Sequence, residues 1–257
     1  MDLPLPETPV DPARQARDDR RRLWRAGLAA AAFVALLWWI ALIQQLFDAP
    51  LRGLLLRPGE AWGLIGVLCA PLLHGSLAHL VSNTLPLLVL GTLALATLPR
   101  ATRWAVPLIW LGAGLGAWLL GRPGTAHLGA SGLSHGLMLF LFVSGLLRRD
   151  RPAVAAALIA FLLYGGMLLS VLPREAGVSW EYHLAGAASG LVAALLLWRR
   201  DPAAPRKRYS WEDEEERAAA PDQELELPAP REVPVLWQRP PARPGAVILR
   251  FPTQRDS

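Results

Sequence analysis

Six stretches of this chain contain no Asp, Glu, Lys or Arg: residues 26–47, 61–99, 104–121, 123–147, 152–173 and 182–198. A helix needs about 20 predominantly apolar residues to cross the hydrocarbon of a bilayer, and each stretch is close to that length or longer. Charges in a soluble domain are scattered over all its elements; here they are segregated between long apolar runs. The pattern predicts an all-α, polytopic membrane protein, a six-transmembrane-helix bundle over residues 26–200. A basic segment, 1–25, precedes it and a tail, 201–257, follows it.

The arginines set the topology. Arg20, Arg21, Arg22 and Arg25 before the first run resemble the start of a signal peptide, but the apolar part is too long and no small-x-small cleavage site follows, so it reads as a retained span. Six successive crossings place that segment, the turn with Arg100 and Arg103, the turn with Arg148, Arg149 and Arg151, and the tail with Arg199, Arg200, Arg206, Lys207 and Arg208 on one side. By the positive-inside rule that side is the cytoplasm. The opposite connections hold only Arg52, Arg57, Arg122 and Arg174. A seventh crossing within 61–99 would scramble this distribution, so 61–76 is expected to be a loop or short helix at the outer surface, with the span starting near Leu77. The expected setting is a bacterial plasma membrane, with the bilayer as partner and both termini cytoplasmic.

Trp24, Trp62, Trp104, Trp118, Trp180 and Trp198 fall near span ends, as in an interfacial belt, while Trp38, Trp39 and Trp110 read as lipid-facing or packing residues. The net charge of +5 is explained by topology and does not indicate nucleic acid. Cys69 is the only cysteine, which excludes an intrachain disulfide and reads as a small apolar side chain. After Arg200 the composition changes: ten prolines lie between Pro202 and Pro252, with an acidic run from Glu212 to Glu216. Such a segment buries too little apolar surface to fold alone, so a disordered, Pro-rich cytoplasmic tail is expected, with "AVILRF" as a weak docking motif for an unknown partner.

The topology gives spans 2, 4 and 6 the same direction, and all three begin at the outer face. They open with "HGSLAHLVSN", "GASGLSHG" and "EYHLAGAASG". His74, His79, His127, His135 and His183, all the histidines of the chain, therefore fall on or beside that face. Polar groups at membrane depth are costly and point to function. His79 and Asn83 are four apart and share a helix face, where two neutral donors suit an oxyanion developing during acyl transfer. Ser131 opens span 4, where unpaired N–H groups and the positive helix end favour negative charge. Two imidazoles are candidates for its general base: His183, opening span 6, and His135, four residues on in the same helix, whose side chain leans back toward the serine. Gly132 with Gly136, and Gly186 with Gly190, form two GxxxG pairs that let spans 4 and 6 approach closely.

In this order on spans 2, 4 and 6, "HGSLAHLVSN", "GASG" and "HLAGAASG" resemble the rhomboid family of intramembrane serine proteases, over roughly residues 26–200. The resemblance implies Ser131 as nucleophile, His183 as base with no third acidic member, and an oxyanion hole of His79, Asn83 and the Ser131 N–H. It also implies that Gly129 permits the tight loop before the serine, and that His74 is structural. Substrates would be transmembrane proteins cleaved near the outer face, admitted past span 5 and the 170–182 loop, with Phe161, Tyr164 and Trp180 as gate candidates; no cofactor or metal is implied.

Two departures stand out. His135 occupies a position where the family usually has an aromatic packed on the catalytic histidine, and the 48–76 connection lacks the Trp-Arg pair of many members. Two rival readings remain: a catalytically inactive rhomboid-like protein that escorts membrane clients, which usually lacks one of the two catalytic residues, and a metal transporter or metalloprotease built on the histidines. The latter generally requires carboxylates or paired ligands such as HExxH, which the charge-free runs do not offer.

Overall fold

The structure is a computed structural model and describes residues 12–46, 51–174 and 177–203, together with 211, 214 and 215. Among these residues the chain forms seven α-helices: α1 (Pro12–Leu46), α2 (Ile65–Cys69), α3 (Leu77–Thr97), α4 (Pro99–Leu120), α5 (Ser131–Arg148), α6 (Arg151–Tyr164) and α7 (Trp180–Leu197). All but α2 belong to segments long and apolar enough to cross a membrane, the fifth of them continuing from α6 through a 3-10 turn over Gly165–Val171. The expected six-span, all-helical bundle is what forms, and the 61–76 stretch is a short apolar helical segment, Ala61–Leu72, rather than a crossing. Indole N–H groups tie that segment to α4: Trp118 donates to the Glu60 carbonyl at 2.9 Å and Trp110 to that of Leu68 at 3.3 Å. Trp38 joins α1 to α3 through Thr84 Oγ1 at 3.0 Å, while Trp24, Trp39, Trp62 and Trp104 are exposed, as residues facing lipid or its interface are.

Helices α5 and α7 form the centre. More than half of the apolar stretch of each is buried, against less than a third in every other span. Their contact is made by glycine: a Cβ on Gly186 would run into the Gly132 carbonyl, and one on Gly190 into that of Gly136. Helix α4 packs on the neighbouring face of α7, with Gly112 against Ser189 and Gly116 against Ala185. Small residues thus bring three backbones together, which is how helices associate in lipid, where apolar burial provides little drive. On the cored side Phe140, Leu141, Met138, Leu90 and Ile109 fill the remaining space.

Two boundaries differ from the sequence-based expectation. Helix α1 starts at Pro12, so the basic residues Arg14 to Arg25 continue the first span as one 35-residue helix. At 1.5 Å per residue it is roughly 52 Å long, well beyond the hydrocarbon thickness. At the other end Asp201, expected in the tail, is buried in the bundle. Its carboxylate accepts from the N–H groups of Arg100 at 2.9 Å and Ala101 at 2.8 Å, capping the first turn of α4. Arg148, at the end of α5, donates to the carbonyls of Trp198 and Asp201, both at 2.8 Å, and pairs with Asp150. By its internal contacts the chain divides into two units, one ending at Ala204 and one starting at Pro205. Of the second, Trp211, Glu214 and Glu215 are described, helical and exposed; "AVILRF", most of the acidic run and residues 1–11 lie outside the described residues.

The Asp201 cap makes the end of the bundle testable. A chain ending after Arg200 loses both cap bonds and two acceptors of the buried Arg148, whereas one ending after Ala203 keeps them. Loss of a helix cap costs about 1–2 kcal/mol, so the shorter chain is expected to melt lower in detergent by roughly 2–8 °C, with the longer one close to the full-length protein. Equal melting of the two truncations would show that the cap contributes nothing.

Candidate active site

The loop before Ser131 is held by main-chain hydrogen bonds. Leu56 and His127 exchange N–H to carbonyl bonds of 3.1 and 2.9 Å, and the Gly129 N–H donates to the Ala70 carbonyl at 2.8 Å. Gly129 has φ +107°, a conformation L side chains rarely adopt, and a Cβ there would come within 2.6 Å of the His79 Nε2 atom. Only glycine fits both conditions, and the His79 ring lies directly against the loop as a result. The chain then turns into α5 with Ser131 as its first residue, so helix geometry leaves the Ser131 N–H without an intrahelical acceptor.

Ser131 Oγ lies 2.8 Å from His183 Nε2, across the close contact of α5 and α7. His135 does lean back toward Ser131, but its Nδ1 meets the Ser131 carbonyl at 2.7 Å, not the hydroxyl. Its ring stacks on that of His183, with centroids 4.1 Å apart and planes inclined by 12°. Of the two candidate bases, then, His183 is the one in contact with the Ser131 hydroxyl, and His135 supplies the flat surface on which it rests.

Ser170 is a residue that sequence reasoning missed. It sits in the turn after α6, and its hydroxyl lies 2.9 Å from both His183 Nδ1 and His135 Nε2. The available sign was a lone hydroxyl in an otherwise apolar span end, "GGMLLSV". The α4 glycines that seat α7, and Tyr182, which packs under Gly132, were likewise not singled out.

The other predicted residues divide into groups. Asn83 is buried one turn below His79, with its amide donating to the His79 carbonyl at 3.1 Å and a second amide proton left for another acceptor. His74, just before α3, packs edge-on to His79 at 5.2 Å; burial, reinforced by the His79 imidazole, lowers its pKa to about 4, so it is neutral at physiological pH. His127 stands apart, bonded to the hydroxyls of Ser179 and Thr125. Burial lowers its pKa too, with Glu181 partly offsetting the effect. Glu181 itself lies in the first turn of α7, a carboxylate at the very edge of the charge-free run. Among the gate candidates, Phe161 stacks on Phe142 at 4.7 Å, Tyr164 packs against the core, and Trp180 lines an opening with Arg122, Arg174 and Glu181.

A family model, the Rhomboid domain, matches residues 58–200, more than half of the chain. The chain belongs to the rhomboid family. This rhomboid is 44% identical over 202 residues to the uncharacterized protein Rv1337 of Mycobacterium tuberculosis (strain ATCC 25618 / H37Rv), covering 75% of this chain and 82% of that protein. It is 41% identical over 205 residues to the uncharacterized protein ML1171 of Mycobacterium leprae (strain TN), covering 76% and 81%. The residues matched by the family model include His79, Asn83, Ser131, His135, Ser170 and His183, while Leu56 lies just before them.

Proposed function

We propose that this rhomboid is an intramembrane serine endopeptidase that cleaves transmembrane proteins near the outer face of a bacterial plasma membrane, with both termini in the cytoplasm. The observation that carries the reading is the 2.8 Å contact between Ser131 Oγ and His183 Nε2, at the helix ends that the arginine distribution assigns to the outer side. Ser131 attacks the scissile carbonyl carbon while His183 Nε2 takes its proton. The tetrahedral oxyanion is held by the Ser131 N–H and by His79 and Asn83, and collapse expels the amine, which His183 protonates. Water then hydrolyses the acyl-enzyme by the same route. The hydrogen-bonded pair weighs against an inactive client-binding protein, which has no use for a nucleophile and base in register.

A labelled fluorophosphonate, which reacts with activated serines, tests this on the purified protein in detergent. Labelling is expected in the wild type and absent in Ser131→Ala; labelling that survives the substitution would defeat the assignment, as would activity abolished by chelation and restored by zinc.

For the oxyanion donors, His79→Ala or Asn83→Ala is expected to slow cleavage by about 10²- to 10³-fold without abolishing it, because several donors share the charge. Unchanged turnover in both variants would reduce the pair to a structural role.

A further inference from the structure

Resting on the serine-protease reading, we infer that Ser170 and His135 extend the Ser131–His183 pair into a relay that moves the nucleophile's proton onto His135. The hydrogen-bond partners fix the direction. Ser131 Oγ faces His183 Nε2; for that nitrogen to accept, the neutral ring carries its hydrogen on Nδ1, which faces the Ser170 hydroxyl at 2.9 Å and the Ser170 carbonyl at 3.2 Å. His135 Nδ1 faces only the Ser131 carbonyl, at 2.7 Å, and a carbonyl only accepts, so that nitrogen also carries a hydrogen. The lone pair of neutral His135 is therefore on Nε2. Of the two groups facing it, the Met167 carbonyl at 3.0 Å has no proton to give, and the Ser170 hydroxyl at 2.9 Å does. The result is one direction in which donation can run, from His183 Nδ1–H to Ser170 Oγ and, once the Ser170 O–H turns from the Met167 carbonyl, from Ser170 to His135 Nε2. In the resting site the Ser170 hydroxyl has a second acceptor, the Met167 carbonyl at 2.7 Å.

Of the two stacked rings, His135 has the better set of acceptors for an imidazolium. A neutral imidazole has one N–H, yet His135 meets a backbone carbonyl at each nitrogen, Ser131 at one and Met167 at the other. Only the imidazolium, with two N–H groups, satisfies both. His183 has no such pair of carbonyls, since its Nε2 faces the reacting hydroxyl. Among the described residues, the titratable groups that bear on the stacked pair are the two rings themselves and His79 of α3, while the charge of Glu181 bears on His127.

The step balances as three one-place proton shifts with no change of oxidation state. As Ser131 Oγ bonds to the substrate carbonyl carbon, its proton passes to His183 Nε2, the Nδ1 proton of His183 passes to Ser170 Oγ, and the Ser170 proton passes to His135 Nε2. His183 is left neutral with its hydrogen on Nε2, aimed at the departing amine, and the positive charge rests on His135. When His183 gives that hydrogen to the amine, the relay runs backward and restores the resting tautomers. The histidine at a position the family usually fills with an aromatic thus keeps the ring surface and adds a place for the proton.

The test uses the full-length protein in detergent, measuring fluorophosphonate labelling and cleavage of a transmembrane substrate in mixtures of H₂O and D₂O. In the wild type, several protons in flight bow the plot of rate against deuterium fraction. His135→Phe, which preserves the stacked surface, and Ser170→Ala are each expected to be about tenfold slower, far less than the loss expected on removing His183 itself, with a straight plot. The double variant should be no slower than either, and Ser170→Thr should restore the bow. A straight wild-type plot, or a bowed one that persists at the wild-type rate in His135→Phe, would overturn the relay while leaving the protease intact. A wild-type protein that neither labels nor cleaves would remove the protease reading and the relay together.

Discussion

Replacing His183 with alanine is expected to reduce single-turnover cleavage by roughly 10⁴- to 10⁶-fold, the range seen when a member of a nucleophile–base pair is removed, and Ser131→Ala should do the same. The reason lies in the geometry. Ser131 Oγ has one imidazole in contact, at 2.8 Å, and at neutral pH an unassisted serine hydroxyl is a poor nucleophile. The two residues act as a unit, so the double variant should be no slower than either single one, and summed losses would contradict the shared role. His135→Phe keeps substantial activity by comparison, because the second imidazole reaches the serine only at its carbonyl. If His183→Ala retained more than about a tenth of wild-type turnover, well outside the loss expected for a general base, the base would lie elsewhere and His135 would be the next imidazole to consider. Fluorophosphonate labelling of the same variants separates loss of nucleophilicity from loss of substrate binding.

The second large effect is expected far from any reacting atom. In Gly190→Ala the added methyl would lie 2.7 Å from the Gly136 Cα and carbonyl carbon, and in Gly186→Ala it would lie 2.8 Å from the Gly132 Cα, with the carbonyl oxygen closer in both cases. Ordinary carbon contacts need about 3.5 Å or more, and the obstacle is backbone, which has no rotamer to change. Helices α5 and α7 must therefore separate by something near 1 Å. Ser131 and His183 sit at the first turns of these same helices, so their contact lengthens with the interface. A 1 Å misplacement costs about 10²-fold in rate, and overpacking adds about 1–3 kcal/mol of destabilisation. Labelling rate and melting temperature, both measured in detergent, should fall together in Gly186→Ala and Gly190→Ala. Gly53→Ala, where the methyl meets nothing within 4 Å, is the control expected to change neither. Normal labelling in both interface variants would mean that α5 and α7 tolerate separation and that the GxxxG pairs do not set the Ser131–His183 distance.

The six crossings were legible because the bilayer imposes a crude constraint: hydrocarbon excludes charge, so charge-free runs mark membrane depth. That same constraint is silent once a helix leaves the hydrocarbon, which is why the continuation of α1 back to Pro12 was not visible and why the start of α7 reaches past Glu181. That Ser131, His79 and His183 come near one another could be read from their depth and from the direction of their spans. Which imidazole touches the hydroxyl could not, since helical lean brings His135 back to Ser131 equally well; only coordinates distinguish a carbonyl from a hydroxyl on the same residue. Ser170 escaped because a single serine in an apolar turn has no periodicity, and its importance comes from two rings on other helices. Asp201 escaped for a different reason: its partners at the start of α4 are about a hundred residues earlier, and local composition assigned it to the proline-rich tail.

The strap that holds the serine loop is made of main-chain groups: Leu56 with His127, and Gly129 with the Ala70 carbonyl. A peptide group is the same whatever side chain it carries. Descendants of this sequence can therefore exchange Leu56, Ala70 and His127 for other residues of suitable volume and still inherit the same loop path, because the mutations do not delete the bonds. Gly129 is the exception, fixed by its positive φ and by the His79 ring. The position of Ser131 is in this way insulated from much of the drift in its surroundings, leaving the 51–72 segment free to diversify on its exposed side while the Ser131 hydroxyl stays where it is.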